Sequence, residues 1–265
     1  MSGRSAAPAA ALAIVCLILG ALASGAYAAR GVDPAARPDS PGSKHSPKPS
    51  SSPNPNWLEG FDVSQWQGTI NWSRVASSGK GFVVIRASAG SLTADSNYSA
   101  NRKGAATAGL PMAAYHYANP DRATNDALNE ASWFLSLATP AHGDLLPALD
   151  LEVSNGLSTT ELQTWVSTWL QRVTSVVGIR PMIYTSPNFW KTYMGDTASY
   201  AQAGYKIVWV AHWGVSSPTV PAQNWGGNGW TFWQYTSSGT VTGISGPVDL
   251  DRYNGQTLAS SLFIP

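Results

Sequence analysis

Two carboxylates close a strand-like segment in the middle of the chain. The stretch PALDLEVS covers residues 147–154 and places Asp150 and Glu152 on either side of Leu151. Alternate residues of a β-strand point to the same face, about 6.6 Å apart at roughly 3.3 Å per residue. Both acids would therefore share one face, while Leu151 packs on the other. Like charges this close oppose each other's ionisation, so the pair needs a use or a partner. An isolated pair of this kind is more often a solvated strand end, and the rest of the chain has to decide.

Few other reaction chemistries fit the residues available. The four histidines have no HExxH spacing, no pair of thiolates exists and no EF-hand loop is present, so no metal or cofactor is expected. The chain also lacks a G-x-S-x-G nucleophile motif and a glycine-rich phosphate loop. Paired carboxylates suit glycoside hydrolysis, which needs an acid for the leaving oxygen and a negative charge or nucleophile near the anomeric carbon. The 12 tryptophans indicate a core together with an aromatic-lined groove.

The first 28 residues differ from the rest of the chain. Arg4 precedes a long apolar run, and AYA at residues 26–28 fits an A-x-A cleavage site. We predict a secretory signal peptide over residues 1–28. An uncleaved membrane anchor is the alternative, since the run is nearly long enough to span a bilayer. Cys16 is the single cysteine, so the cleaved protein has no disulfide and no cysteine nucleophile. We expect an extracellular, cell-wall-associated protein without stable membrane association after cleavage.

A spacer and one large domain follow the predicted signal peptide. Seven prolines and six serines in residues 30–56 predict a disordered linker over residues 29–56. Residues 57–265 carry 11 Lys and Arg against 13 Asp and Glu, so a nucleic-acid partner, which requires a basic face, is not expected. At 209 residues this segment is long enough for one sizeable domain. We expect it to be a monomer.

Short apolar segments alternate with amphipathic ones throughout this domain. Strand-like segments cover residues 58–64, 81–88, 112–118, 145–152, 181–186, 206–213 and 230–236, and helical patterns cover 98–109, 124–138 and 159–177. Repeated βα units with apolar strands predict a parallel sheet covered by helices. Seven or eight strands in this length predict a barrel, and the helical pattern fades after residue 195. Polar residues at the predicted strand ends, where barrels carry their sites, are Asp62, His116, Asp150, Glu152, Tyr184, His212 and Gln234.

Seven motifs in order give the domain a resemblance to a known family. GFDVSQWQGTINW resembles the D-V-S-x-x-Q-G opening of family 25 glycoside hydrolases, the Chalaropsis-type lysozymes. FVVIRAS, AGLPMAAYHYA, PALDLEV, RPMIYTSPNFW, IVWVAHW and WTFWQYTSSGTVTGISGPVDLDRY follow in that family's order, over about residues 58–254. The resemblance implies an α/β fold, an irregular TIM-like β/α barrel of the type (β/α)5(β)3, as a single catalytic domain. It also implies hydrolysis of the β-1,4 bond between N-acetylmuramic acid and N-acetylglucosamine in bacterial peptidoglycan.

The same resemblance implies roles for the two acids of the central motif. Glu152 corresponds to the general acid, and Asp150 to the carboxylate that stabilises or positions the reacting sugar. A general acid must hold its proton at the working pH. Repulsion from Asp150 and Asp249, together with apolar surroundings, is therefore expected to raise the pKa of Glu152.

Further site residues follow from other motifs of the resemblance. Asp62 in FDVS and Asp249 in PVDLD match two more active-site aspartates, with Asp251 as a competitor for the second role. His116 could equally be a core histidine. The residues expected to bind substrate are His116, Tyr184, Gln234 and Trp209.

Two rival functions and one departure from the family pattern bear on this hypothesis. A chitinase-like enzyme also ends a strand in D-x-E but needs aspartates where this chain has Leu146 and Ala148. A non-catalytic wall-binding module on the same fold is the rival from another class, and the retained acids argue against it. The departure is Ala89, which stands where the family often has an acid, so one substrate subsite is expected to be weaker.

Overall fold

The computed structural model describes residues 56–265, and these residues form a closed β-barrel. Around the barrel the order is β1-β2-β4-β5-β6-β7-β8-β9, and β9 pairs back to β1. The two-residue β3 extends β2 as a short hairpin. The strands are β1 Leu58–Val63, β2 Phe82–Ala89, β3 Thr93–Ala94, β4 Met112–Tyr117, β5 Ala148–Asp150, β6 Met182–Thr185, β7 Val208–Ala211, β8 Phe232–Gly239 and β9 Val248–Tyr253. The predicted irregular β/α barrel is confirmed.

Helices accompany the first strands and shrink toward the end of the chain. They are α1 Trp72–Val75, α2 Tyr98–Thr107, α3 Asp126–Ala138, α4 Thr159–Val177, α5 Pro187–Tyr193, α6 Ser199–Gln202 and α7 Pro221–Gly226. The longest, α4, has the predicted bounds. It starts with a capping box, in which the Ser158 side chain accepts from the Glu161 backbone N–H and the Glu161 side chain accepts from that of Ser158. It ends at Gly178, whose φ of 79° is left-handed.

Strand alternation divides the apolar residues into two layers. Val83 and Ile85 of β2 pack outward with the apolar faces of the helices, whereas Phe82 and Val84 point into the barrel. The lower barrel is filled by aromatic rings, with Phe82 and Phe232 5.2 Å apart in an edge-to-face pair. Gly60 leaves room for this packing, because a side chain there would collide with the Phe82 ring. The polar groups of the barrel interior therefore lie above an apolar floor.

The last strand departs from the parallel sheet that the sequence predicts. β9 runs antiparallel to both β8 and β1, while the other six pairings of the barrel are parallel. A parallel connection needs a crossover of a dozen or more residues, and only residues 240–247 separate β8 from β9. The chain therefore turns back on itself, and β9 enters the barrel from the opposite end.

The helical turn α7 has a left-handed backbone. Ala222, Gln223, Asn224 and Trp225 all have φ between 50° and 58°, a conformation that costs non-glycine residues roughly 1–2 kcal/mol each. Its first N–H, that of Ala222, donates to Asp196 Oδ1 at 2.7 Å. The fully buried Trp225 donates from its indole to the Tyr205 carbonyl at 2.9 Å. Burial and capping thus hold a turn that its residues would not adopt alone.

A cation sandwiched between aromatic rings covers the barrel wall where helices are missing. The Arg252 guanidinium carbon lies 3.8 Å from the Tyr235 ring centre and 4.3 Å from that of Trp57. Arg252 Nε also lies 3.3 Å from Glu59 Oε1, and Lys80 Nζ lies 2.8 Å from Glu59 Oε2. Burial of Glu59 opposes its charge, yet Lys80 and Arg252 outweigh burial and lower the pKa of Glu59. The cluster ties the first residues of the domain to β9.

The predicted signal peptide and nearly all of the predicted linker lie outside the described residues, so they remain predictions. Within residues 56–265, no helix combines the length and the apolar character needed to cross a membrane.

We expect the cluster of Arg252 with Glu59, Lys80 and the surrounding aromatic rings to contribute to the stability of the domain. Arg252→Ala should lower the free energy of unfolding by about 2 kcal/mol, because it removes a largely desolvated cation from the aromatic rings. Arg252→Lys should recover only part of this loss, since an ammonium lacks the planar stacking surface. The matched control is Arg122→Ala, which breaks an exposed pair with Glu161 and should change little. Urea unfolding of the three variants measures these free energies. Equal losses of unfolding free energy for Arg252→Ala and Arg122→Ala would contradict a stabilising role for the stacked guanidinium.

Candidate active site

Acidic side chains from three strands meet at one end of the barrel interior. Asp62 lies near the C-terminal end of β1, and Asp150 ends β5. Asp249 of the antiparallel β9 stands directly opposite Asp62 in the register. In the same way Asp150 stands between Tyr117 of β4 and Tyr184 of β6. The end of the barrel to which the parallel strands point therefore carries the acids that the sequence singles out.

The alternation predicted for the central motif is present in the structure. Leu151 is fully buried in the layer between barrel and helices. Its N–H donates to the Tyr184 carbonyl at 3.0 Å, and its carbonyl accepts from Thr185 Oγ1 at 3.1 Å. These bonds continue the edge of β5 for one residue beyond the strand. Glu152 follows as a half-buried side chain, two positions beyond Asp150.

Gln234 links several of these groups inside the barrel. Its Oε1 atom accepts from Tyr184 Oη at 2.9 Å and from Trp213 Nε1 at 3.1 Å. Its Nε2 atom donates to Asp62 Oδ2 at 2.7 Å. An indole N–H can only donate, so Trp213 fixes which end of the Gln234 amide faces Asp62. Asp62 is thereby held as an acceptor.

Asp251 lies two residues beyond Asp249 and faces the same interior. Trp209 Nε1 donates to its Oδ1 atom at 2.8 Å, and Asp62 is its neighbour in a carboxyl–carboxyl hydrogen bond. Complete burial raises the pKa of Asp251 well above the ordinary range of a carboxyl group, despite the hydrogen bonds with Trp209 and Asp62, which both lower it. The negative charge of Asp249 raises this pKa further. Asp251 thus favours the neutral form.

Burial distinguishes the two aspartates of β9 that compete for one catalytic role. Asp249 is half-buried at the open end of the barrel, whereas Asp251 has no exposed surface. A sugar at the mouth could reach Asp249 but not Asp251. The geometry therefore favours Asp249 for direct contact with a substrate and gives Asp251 a place beneath it.

Three of the residues expected to bind substrate lie beneath the mouth. Tyr184, Gln234 and Trp209 expose only 1–2 % of their surface. The rings of Tyr184 and Trp209 lie 4.4 Å apart in an edge-to-face arrangement, and their polar atoms bond Gln234 and Asp251 as described. The structure brings all three to the site, where they form the layer that supports the aspartates.

His116 lies apart from this group, on the other face of β4. Its Nδ1 atom lies 2.8 Å from Ser88 Oγ and its Nε2 atom 2.7 Å from Glu130 Oε2. Its ring has no exposed surface and stacks on Trp169 at 5.5 Å. Alternation along β4 is the reason, because Tyr115 occupies the inward position before His116. The expected contact of His116 with substrate has no geometric support, and the core alternative describes its position.

Ala89, where the family often has an acid, sits in the hairpin formed by β2 and β3. It pairs with Thr93. The nearest charged pair along the chain is Arg86 with Asp95, whose Nε and Oδ2 atoms lie 2.9 Å apart. Asp95 Oδ2 also accepts from the Gln65 backbone N–H at 2.8 Å. Asp95 is therefore engaged in holding the loop after β1 rather than replacing the missing acid.

No group of three or more His, Cys, Asp or Glu side chains arranged to hold a metal ion occurs within residues 56–265.

Comparison with known proteins identifies the family. The model of the family described as glycosyl hydrolases family 25 matches residues 61–244. The chain belongs to glycosyl hydrolase family 25. It is accordingly a glycoside hydrolase, and the acids at the barrel mouth are its candidate catalytic residues.

Individual relatives agree with this family 25 assignment. Lysozyme M1 of Streptomyces globisporus is 40% identical over 207 residues, which span 75% of this chain and 68% of the relative. An N,O-diacetylmuramidase of Chalaropsis sp. is 29% identical over 211 residues, spanning 72% of this chain and 96% of the relative. The crystal structure of the bacterial lysozyme from Streptomyces coelicolor superposes with a TM-score of 0.71 at 38% identity, covering 79% of this chain and 96% of that one.

Sequence reasoning missed several residues in and around the candidate site. The motif led us to expect His116 at the site rather than its neighbour Tyr117. The strand register of the structure places Tyr117 beside Asp150. Trp213, which orients Gln234, gave no signal, since an indole after a strand is usually core. Glu130 was hidden inside a helical pattern, and only the structure shows that it partners His116.

Neighbouring positions on opposite faces of β4 should respond differently to substitution. His116→Ala should cost about 3 kcal/mol of unfolding free energy, because it leaves a cavity beside Trp169 and removes a partner of the buried Glu130. The folded fraction should keep its glycosidase KM. Tyr117→Phe should leave stability nearly unchanged and alter kcat or KM. Urea unfolding and steady-state kinetics measure the two effects. A raised KM with normal stability for His116→Ala would instead support the expected contact between His116 and the substrate.

Proposed function

We propose that this family 25 enzyme is a secreted lysozyme, an N-acetylmuramidase. It hydrolyses the β-1,4 bond between N-acetylmuramic acid and N-acetylglucosamine in bacterial peptidoglycan. The observation that carries this proposal is the convergence of Asp62, Asp150 and Asp249 at the barrel mouth, with Glu152 following Asp150. The relatives named lysozyme M1 and N,O-diacetylmuramidase support the same substrate.

The roles of the central pair follow from what glycoside hydrolysis requires. Glu152 donates its proton to the glycosidic oxygen as the bond to the anomeric carbon breaks. Asp150, ionised, faces the positive charge that develops on the muramic acid ring, or positions its N-acetyl group. Water then supplies a hydroxyl group to the anomeric carbon, and its proton returns to Glu152. Each turnover thereby restores the acid.

The remaining side chains divide into substrate contacts and supports. Asp62 and Asp249 face the bound sugars from the seam between β1 and β9. Tyr117, half-buried beside Asp150, offers a ring and a hydroxyl group to the substrate. Tyr184, Gln234 and Trp209 are assigned a supporting role, since they are almost completely buried. None of these roles requires a cofactor.

The decisive experiment is lysis of purified cell walls. The full chain should be exported, with Ala29 at or near the mature N-terminus. The exported protein should lower the turbidity of a peptidoglycan suspension and release reducing ends that carry N-acetylmuramic acid. Binding to walls without release of reducing ends would instead identify a non-catalytic wall-binding module. Reducing ends on N-acetylglucosamine would place the cleaved bond on the other side of the sugar.

Substitutions of the central pair test the assigned roles. Glu152→Gln keeps shape but has no proton to donate, so kcat should fall by at least ~10²-fold while substrate binding survives. Asp150→Asn should also lower kcat. By removing a neighbouring negative charge, it should shift the alkaline limit of the pH–rate profile downward and leave the acidic limit in place.

A matched substitution controls for the change from carboxylate to amide. Glu161→Gln makes the same replacement at the start of α4, where the side chain is exposed, and activity should stay at the wild-type level. Near-wild-type activity of Glu152→Gln, or an unmoved alkaline limit in Asp150→Asn, would contradict the roles of the two acids.

A further inference from the structure

The loop that carries Glu152 is short and is fixed at both ends. It joins the end of β5 to the start of α4 over residues 151–158. At the first end, both backbone groups of Leu151 are hydrogen-bonded to β6. At the other end, Ser158 caps α4, and the buried Leu157 donates its N–H to the Ser154 carbonyl at 2.9 Å. The placement of Glu152 therefore depends on what holds the residues in between.

Asn155 joins this loop to the loop that follows β4. Its Nδ2 atom donates to Asn119 Oδ1 at 2.9 Å and to the Pro120 carbonyl at 3.1 Å, and we call these two bonds the asparagine clasp. A carbonyl can only accept, so the Pro120 contact fixes which end of the Asn155 amide faces the neighbouring loop. Asn119 must then present its oxygen. Asn155 has a left-handed φ of 47°, which asparagine adopts more readily than most residues.

The loop after β4 is a firm support for the clasp. The Asn119 N–H donates to Glu130 Oε2 at 3.1 Å, and this same oxygen lies 2.7 Å from His116 Nε2 in the buried layer. The N–H of Ala118 donates to the Asp150 carbonyl at 2.9 Å. The loop is thereby bonded both to α3 and to the end of β5. His116 thus contributes to the mouth from inside the wall, through Glu130.

We propose that Asn155 is a positioning residue for the glycosidase reaction, whose side-chain amide holds the loop after β5 so that Glu152 meets the glycosidic oxygen in one orientation. The role rests on the proposed function, in which Glu152 is the general acid. Only two residues separate Glu152 from Asn155, and Leu151 is fixed on the other side. The clasp therefore limits the backbone freedom of Glu152, and a displacement of about 1 Å at a reacting group can be costly.

A second contact between the two loops lies on the helix side of Asn155. Arg122 Nη2 donates to the Gly156 carbonyl at 2.7 Å. The Arg122 side chain is exposed, and it holds the loop close to the start of α4 rather than close to Glu152. Loss of the clasp should therefore loosen residues 152–155 while the domain stays folded, so that the kinetics of the variants can be measured.

One replacement made at either end of the clasp tests its direction. Asn155→Asp removes the donor; Asn119 can turn its amide toward the new carboxylate, but the Pro120 carbonyl cannot donate, so kcat on cell walls should fall about tenfold. Asn119→Asp keeps an acceptor for Asn155, so kcat should stay within about threefold of wild type. Both variants add one negative charge at nearly the same place, and each controls for the effect of charge on Glu152. KM should be unchanged in both.

A substrate with a better leaving group separates positioning of the acid from general damage. The nitrophenyl glycoside of the disaccharide of N-acetylglucosamine and N-acetylmuramic acid expels nitrophenolate, which needs little help from a general acid, whereas a sugar oxygen needs a proton. Asn155→Asp should therefore lose less than about twofold on the nitrophenyl glycoside. Glu152→Gln should show the same pattern, with a larger loss on cell walls.

Hydrogen exchange reports on the loop in the absence of substrate. Amides of residues 152–158 should exchange faster in Asn155→Asp than in Asn119→Asp, because local opening becomes easier when the clasp is lost. Exchange in the barrel strands should be the same in both variants.

The outcomes separate this inference from the proposed function. An inactive wild-type enzyme on cell walls, or a Glu152→Gln variant that loses equally on both substrates, would refute the proposed function and the role of Asn155 with it. With wild type and Glu152→Gln as expected, the role of Asn155 alone is overturned if Asn155→Asp keeps full activity on cell walls, loses equally on both substrates or raises KM. Equal losses for Asn155→Asp and Asn119→Asp would assign the effect to charge and also overturn it. If Asn155→Asp does not fold, Asn155→Gly, which keeps the left-handed backbone and adds no charge, decides in its place.

Discussion

Two carboxyl groups that touch inside the barrel set the constraint on which the site depends. Asp62 lies on the first strand and Asp251 on the last, so their contact crosses the seam at which the barrel closes. In a buried environment two negative charges at this separation would repel strongly. Burial and the neighbouring charge of Asp249 raise the pKa of Asp251, which lessens this repulsion across the seam. Gln234 donates to Asp62 Oδ2 and the Trp209 indole donates to Asp251 Oδ1, so each acid also has a donor of its own.

Aromatic residues in this domain serve more as scaffold than as exposed sugar platforms. Five tryptophans are fully buried: Trp169, Trp190, Trp209, Trp225 and Trp233. Several indole N–H groups act as donors of fixed direction, to Gln234, to Asp251 and to backbone carbonyls. A rigid donor without acceptor capacity removes ambiguity from a buried network. The high tryptophan content is therefore a means of fixing polar groups as well as a source of apolar area.

The sequence predicted helices and strands more successfully than side-chain contacts between distant residues. Periodicity predicted α4 with its bounds, and the apolar runs predicted all seven parallel strands, because these patterns are local. The eighth strand, β9, was not predicted from its own residues, since alternating acids in VDLDRY do not read as a buried strand. His116 was assigned to the site because a motif gives a position along the chain but not the face of the strand. The pairing of Asp62 with Asp251 spans the whole domain, and no local pattern encodes it.

The position of β9 at the end of the domain has a consequence for the order in which the molecule is built. β1 and β8 meet only through β9, and the bond between Gln234 and Asp62 joins residues 172 positions apart. A growing chain that ends before residue 248 has neither Asp249 nor Asp251 and leaves the edges of β1 and β8 open. Long-range pairings of this kind form slowly. The end of the barrel that carries the candidate catalytic acids is thus the last part to be completed, and a chain without β9 has only part of the candidate site.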